Sequence, residues 1–586
     1  MKLIGQYIKK YQKLFMFGLG FKFISSVLEL LIPYVMEHII DTVALSGNLM
    51  RVLLWGAGMI ALALATWAIN LKANNTAIRM SSRAAYDMRQ QLFQSTIGLS
   101  GDQFDDFSLP SLTSRMTSDS YNVQNFLRAM QTMGVRAPIM LIGGIIITMT
   151  MDMGLSLILC VLAPIMIVII VMISRMGVPL YDQVQERLDR IVCIMRENIT
   201  GIRVVKSLSK ENYERQRYND ANEEMTRSDR KASIIMSLPG PLMTLALNIG
   251  LTLVVIIGAR RVNAGLTEPG VILAFLTYFN MIMMGVMGLN RIFMMLSKAS
   301  ASADRISAVI EMPDQLVPVP VDETPAAPSD DYIIFDDVTF GYGDDDDDDD
   351  DERFDGEERQ DGLSNISFSI RKGGSLGIIG ATGSGKTTII NLLMRFYDTD
   401  SGHVFVDGRD VRTYAPDDLR SRFGVVFQND VVFAMSLADN ISFGRNVGLD
   451  EVTAAAREAQ AAEFIEEYED GYEHLSEIRG ANFSGGQKQR ILISRALASN
   501  PDILILDDAS SALDYRTDAE LRKAIRENHS DATSIIIAQR ISSIMSLDRI
   551  LMLDDGKIIG YGTHDELMKT CQPYIEIFHT QMGGEQ

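Results

Sequence analysis

Ser375-Leu376-Gly377-Ile378-Ile379-Gly380-Ala381-Thr382-Gly383-Ser384-Gly385-Lys386-Thr387-Thr388 is the stretch on which the fold turns. Its opening residues are a short apolar run suited to a buried strand, and Gly380 to Thr387 fits the spacing G-x-x-x-x-G-K-[ST]. Thr388-Ile389-Ile390-Asn391-Leu392-Leu393 then reads as helix. Strand, glycine turn and helix in that order build a cradle for phosphate. The glycines let backbone N–H groups close around an anion, and the helix N-terminus adds a favourable dipole. Lys386 can reach phosphate oxygens and Thr387 can offer its hydroxyl to Mg²⁺.

Toward the C-terminus, Ile503-Leu504-Ile505-Leu506-Asp507 reads as a buried strand ending in a carboxylate suited to a Mg²⁺ shell, partly through water. Between the two strands lies Phe483-Ser484-Gly485-Gly486-Gln487-Lys488-Gln489-Arg490, followed by the helical run Ile491 to Leu497. A serine and two glycines opening a helix make a second anion-binding end.

Toward the N-terminus, Pro313, Pro318, Pro320, Pro325 and Pro328 mark an extended linker. Before it, apolar runs near 15–40, 52–73, 133–151, 155–174, 238–258 and 271–296 are each long enough to cross a hydrocarbon core of roughly 30 Å. The segment 175–237 carries twelve Lys and Arg, whereas the short loops on the opposite side carry Arg51, Arg260 and Arg261. Positive charge marks the cytoplasmic side, so the long loops and the soluble half lie in the cytoplasm of a multi-pass plasma-membrane protein. The N-terminus, with Lys2, Lys9, Lys10 and Lys13 among Tyr7, Tyr11 and Phe15, reads as an interfacial helix rather than a cleaved signal.

About half of the net charge of −21 sits in one place. Residues 344–362 hold thirteen acidic side chains against Arg353 and Arg359, and such a run, set in an insert over 343–362, is expected to be a disordered loop between strands. Cys160, Cys193 and Cys571 show neither paired nor metal-like spacing. No nucleic-acid partner is expected.

With these motifs in order, the chain resembles the ATP-binding cassette (ABC) transporters, and its two halves are arranged as in the exporters. The resemblance implies a six-helix transmembrane domain over 1–300, a linker over 301–330, and over 331–586 an α/β P-loop cassette with a helical subdomain. It implies ATP and Mg²⁺ as ligands, bound by Gly380, Ala381, Thr382, Gly383, Ser384, Gly385, Lys386, Thr387 and Thr388. Tyr342 matches the aromatic that stacks on adenine, and Gln428 the glutamine that contacts Mg²⁺ beside Thr387 and Asp507. Ser484, Gly485, Gly486 and Gln487 match the signature that meets the ATP of a second cassette, and Asp514 lies in the segment linking the two sites. Phe104-Asp105-Asp106 through Asp119 and Glu197 through Lys206 look like the cytoplasmic loops that dock on cassettes.

Two positions depart from the family pattern. Asp508 stands where a glutamate normally orients the attacking water, and Gln539 where a histidine normally contacts the γ-phosphate. Asp is one methylene shorter, and a neutral amide does not titrate near neutral pH as imidazole does. A third departure is Ile478 before Arg479-Gly480, where exporters often carry a glutamate. With the signature intact, the pattern is similar to the degenerate-site half of heterodimeric bacterial exporters, whose partner supplies the glutamate and histidine. The expected function is ATP-driven export of drugs or other amphipathic compounds. A dedicated lipid or peptide exporter, a homodimer, and an ATP-binding regulator without transport are the alternatives. Glu29, Asn290 and Arg291, polar groups at membrane depth, are candidate substrate contacts, with Glu29 either attracting cationic drugs or pairing with a neighbouring helix.

Overall fold

The computed structural model describes residues 1–313, 315–342, 361–428 and 430–582. The chain divides into two compact units, Met1–Ile97 with Leu109–Met312 and Gly98–Ser108 with Pro313–Gln586. The acidic insert lies, over residues 343–360, outside the described residues.

The first unit contains six helical segments apolar enough to span a membrane: Gln12–Ser46, Leu49–Ile97, Leu109–Met151, Met153–Thr200, Glu211–Asn263 and Pro269–Ile310. They far outrun the apolar stretches within them. The second, at 49 residues, is about 70 Å long at 1.5 Å per residue, more than twice a hydrocarbon core. The excess is polar helix, as in Glu211–Ser237, where Glu224 pairs with Arg187 and Arg190 and Arg217 pairs with Glu197.

Helix ends on the opposite side are fixed by buried carboxylates. Asp41 accepts hydrogen bonds from the Gly270 and Val271 amides at 2.7 and 3.1 Å, capping the sixth span. Asp152 caps the fourth through Gly154 and Leu155 and pairs with Arg261 at 2.9 Å. The sixth span continues to Ile310, past the boundary expected at 300. Ala299, Ser302, Ala303, Ile306 and Val309 recur at helical spacing and are buried, which carries the helix on until Pro313.

The second unit holds two sheets. β1 (Ile333–Gly341), β2 (Asp361–Ile370), β4 (Ser401–Val406) and β5 (Arg409–Asp410) form an antiparallel sheet in the order β2-β1-β4-β5. β3 (Ser375–Gly380), β6 (Phe423–Val426), β7 (Ile503–Asp507), β8 (Thr533–Ile537), β9 (Arg549–Asp554) and β10 (Lys557–Gly562) form the other, ordered β10-β9-β3-β8-β7-β6. β9, β3, β8, β7 and β6 run parallel, and β10 turns back against β9. β7 is buried at every position, as its unbroken Ile-Leu-Ile-Leu run requires of a central parallel strand.

A separate helical layer packs around Val432, Ile441, Val452, Ile465 and Ile491. The segment Gly98–Ser108 belongs to this unit although it lies between the second and third spans in sequence. Its helix Gly101–Asp106 opens on a capping box between Ser100 and Gln103. The Gly101 amide donates to Phe396 O at 2.8 Å, and the Tyr397 hydroxyl donates to Asp105 Oδ2 at 2.7 Å.

Candidate functional site

The strand order explains the site. β3, β8 and β7 are neighbours running the same way, so whatever follows each strand is delivered to one edge of the sheet. β3 delivers the glycine loop, β7 delivers Asp507 and Asp508, and β8 delivers Ala538 and Gln539. Open parallel sheets place ligands at this carboxyl edge.

A cleft of about 340 Å³ lies there, lined by Tyr342, Thr382, Gly383, Gly385, Lys386, Thr387, Thr388, Gln428, Asp507, Asp508 and Gln539. Gly362, Ile537 and Ala538, not singled out in the sequence, complete the wall. Gly383 and Gly385 have φ of +86° and +92°, which side-chain-bearing residues rarely adopt, and a Cβ on Gly385 would fall 2.6 Å from Leu363 Cδ2. Gly380, Ala381 and Ser384 are not among the lining residues, and the Lys386 ammonium donates to Gly380 O at 3.1 Å and Ala381 O at 2.6 Å.

The Thr387 hydroxyl donates to Asp507 Oδ2 at 3.1 Å. Burial pushes the Asp507 carboxyl above its usual range, reinforced by Asp508 and opposed by the Thr387 hydroxyl and Lys386. Burial likewise raises Asp508, against Arg540 and Lys386, and lowers Lys386 against the pull of both carboxylates. Two desolvated carboxylates beside a hydroxyl are a donor set that fits a hard divalent cation, whose charge would offset the cost of burying them.

Tyr342 is held rather than free. Its hydroxyl is 3.1 Å from Thr388 Oγ1, and its ring meets Phe340 and Tyr397 edge-on at centroid distances of 4.9 and 5.3 Å. The two departing residues touch. Gln539 Nε2 donates to Asp508 Oδ2 at 3.3 Å, and Gln539 O accepts from Gln581 Nε2 at 2.8 Å. Asp508 has a φ of +49° and donates its amide to Ile537 O at 3.0 Å. Their contact was not legible in the sequence, because the neighbourhood of β7 and β8 had first to be known.

Other candidates lie elsewhere. Ser484, Gly485, Gly486 and Gln487 open the helix Gly485–Leu497 and are absent from the cleft wall. Ser484 Oγ accepts from the Gln487 amide at 3.3 Å while Gln487 Oε1 accepts from the Ser484 amide at 2.9 Å, so Ser-Gly-Gly-Gln is itself a capping box. Asp514 also sits outside the cleft. Its carboxylate accepts from the Arg516 and Thr517 amides and the Thr517 hydroxyl, capping Tyr515–Asn528. In the membrane unit, Glu29 is paired with Arg136, whose Nη2 and Nε reach it at 2.7 and 3.2 Å. Arg291 is exposed and Asn290 half-buried on the sixth span.

Six apolar spans joined to an α/β domain with this loop, strand-end carboxylates and a signature helix define a half-transporter of the ATP-binding cassette class. Two family models agree with the residues: the ABC transporter transmembrane region matches 15–287, and the ABC transporter domain matches 363–511. The chain is 34% identical over 584 residues to the ABC transporter ATP-binding protein YfiB of Bacillus subtilis, covering 99% of this chain and 98% of that one. It is 32% identical over 586 residues to the ABC transporter ATP-binding protein MT1311 of Mycobacterium tuberculosis, with 99% and 98% covered. Its fold matches a bacterial Atm1-family ABC exporter with ATP bound at a TM-score of 0.79 and 24% identity, over 97% of this chain and 98% of that one.

The chain belongs to the ABC transporter family. It is an ATPase-coupled, multi-pass membrane transporter with a cytoplasmic cassette.

Proposed function

We propose that this chain is one half of a heterodimeric exporter of amphipathic compounds, holding ATP in a site that turns it over slowly while its signature completes the partner's hydrolytic site. The observation that carries the reading is the Asp508–Gln539 contact: the shortened carboxylate accepts a hydrogen bond from an amide at 3.3 Å. A general base needs its carboxylate aimed at the attacking water, and a displacement near 1 Å can cost about 10²-fold in rate.

In this reading the glycine loop and Lys386 bind the phosphates, and Tyr342 borders the adenine. Thr387, Gln428 and Asp507 would hold Mg²⁺, partly through water, and the ion would offset the negative charge of the phosphates. Asp508 orients water poorly, and Gln539 donates to the γ-phosphate without supplying positive charge. Ser484 to Gln487 present a helix N-terminus to the nucleotide held by the other chain. ATP-driven closure and reopening of the paired cassettes then alternates access across the membrane bundle.

The test is ATPase activity of the purified chain alone and with its candidate partner. Low turnover alone and robust turnover together are expected. Robust turnover by the chain alone would instead favour a homodimer in which Asp508, still lining the cleft, acts as the base through water.

A further inference from the structure

Glu29 is the carboxylate of a small charged cluster at membrane depth, and Arg136 engages both of its oxygens. Arg136 spends its Nε and Nη2 on Glu29, a two-point contact that fixes the plane of the guanidinium. Lys22, only 6% exposed, lies within electrostatic reach of both and donates to Asn70 Oδ1 at 2.7 Å. Two cationic side chains thus face one carboxylate.

Beside Arg136 the third and sixth spans leave a cavity of about 60 Å³, lined by that residue with Met133, Met140, Met281 and Met284. Gly285 forms its floor, where a Cβ would come within 2.9 Å of Ala137 O, so the two helices meet at backbone distance. Among the described residues nothing bonds to the remaining Nη1 of Arg136, whose side chain is 41% exposed. Arg291 follows Met284 and Gly288 by seven and three residues on one continuous helix, which puts a second guanidinium on the face of that helix that lines the cavity.

We infer that this cavity is a subsite for an amphipathic anion. A carboxylate or phosphate headgroup sits on the open edge of Arg136, with Arg291 near it, and the apolar body lies on the methionines, whose flexible thioethers adapt to its shape. Glu29 is then a positioning residue that orients Arg136. The inference rests on the reading that this chain exports amphipathic compounds and selects among them by charge.

The test uses the full chain in phosphatidylcholine nanodiscs and two photoreactive alkyl probes of equal length, one ending in a carboxylate and one in a trimethylammonium, with labelled peptides mapped by mass spectrometry. The carboxylate probe is expected to label the peptide containing Met281 and Met284, and the ammonium probe about tenfold less, since a hydrogen-bonded charge contact at this level separates binders by that factor or more. R136Q should lower carboxylate labelling about tenfold, while E29Q should keep the preference for carboxylate. Adding phosphatidylglycerol tells the sources apart: suppression identifies an anionic lipid headgroup as an occupant, and no suppression a free amphiphile.

Equal labelling by the two probes in the parent protein would overturn the inference without any variant having to fold. So would labelling by the ammonium probe that disappears in E29Q. Nucleotide binding by the same samples shows that the protein is intact, and none of these readouts depends on turnover in the Asp508 site. If the export reading itself fails, the carboxylate probe still binds, but ATP with the partner present does not move it across vesicles.

Discussion

Replacing Asp508 by Glu and Gln539 by His should restore hydrolysis to this chain's own site. Glutamate adds one methylene, about 1.5 Å of reach, to a carboxylate that now ends against the Gln539 amide at 3.3 Å. If that shortfall is what limits the base, D508E alone should raise turnover by about tenfold to a hundredfold. Q539H alone should do less, because the shortened base remains. The residues touch, so their effects should not add, and D508E/Q539H should exceed the product of the single variants. The assay is single-turnover cleavage of labelled ATP by the complete complex, with the partner's own catalytic glutamate changed to glutamine so that only this site reports. ATP affinity should stay nearly constant, since the glycine loop and Lys386 are untouched. A double variant within about twofold of the parent, less than about 0.5 kcal/mol in barrier, would refute the reasoning and move the limitation elsewhere.

Lys386→Ala should weaken ATP binding by this chain about tenfold or more, read by displacement of a fluorescent nucleotide, because the loop loses its charged phosphate contact. Gly101→Leu should leave nucleotide binding intact but reduce substrate-stimulated ATPase of the complex, since even a Cβ there would meet Tyr397 Cζ at 2.4 Å; Tyr397→Phe, which removes the hydroxyl bonded to Asp105, should do so more mildly. Arg395→Met should lower cassette stability by about 2–4 kcal/mol in thermal unfolding. Its guanidinium is 1% exposed and serves Asp398 together with the carbonyls of Arg412, Tyr414 and Val317.

Much of this could be read from the chain before any coordinates, for reasons that are local. A glycine loop announces its strand and helix because backbone N–H groups must converge over a few residues, and a membrane span announces itself by length. The second kind of information is non-local. That Asp508 and Gln539 meet depends on β8 lying between β3 and β7, which no spacing states. Asp514, which the family resemblance places in the segment linking the two sites, also caps the first turn of its own helix, a local role. The short helix of the first loop starts on a local box, Ser100 to Gln103, but its attachment to Phe396 and Tyr397 is non-local. The sequence offers Glu29 both a ligand and a neighbouring helix, and its pairing with Arg136, more than a hundred residues away, is again non-local.

A site that binds ATP without cleaving it can still do mechanical work, and the aromatic contacts show how. Tyr342 borders the nucleotide cleft and meets Tyr397 edge-on at 5.3 Å, and Tyr397 in turn holds Asp105 of the first-loop helix through its hydroxyl. Burial, then the neighbouring Asp105 and Asp106, raise the Asp102 carboxyl on the same helix. These contacts form a short physical route from the cleft wall to the loop helix. Neither Asp508 nor Gln539 lies on that route. In the proposed reading their alteration would slow chemistry and leave this path intact, so that ATP held in the cleft would act as a clamp during the partner's cycles.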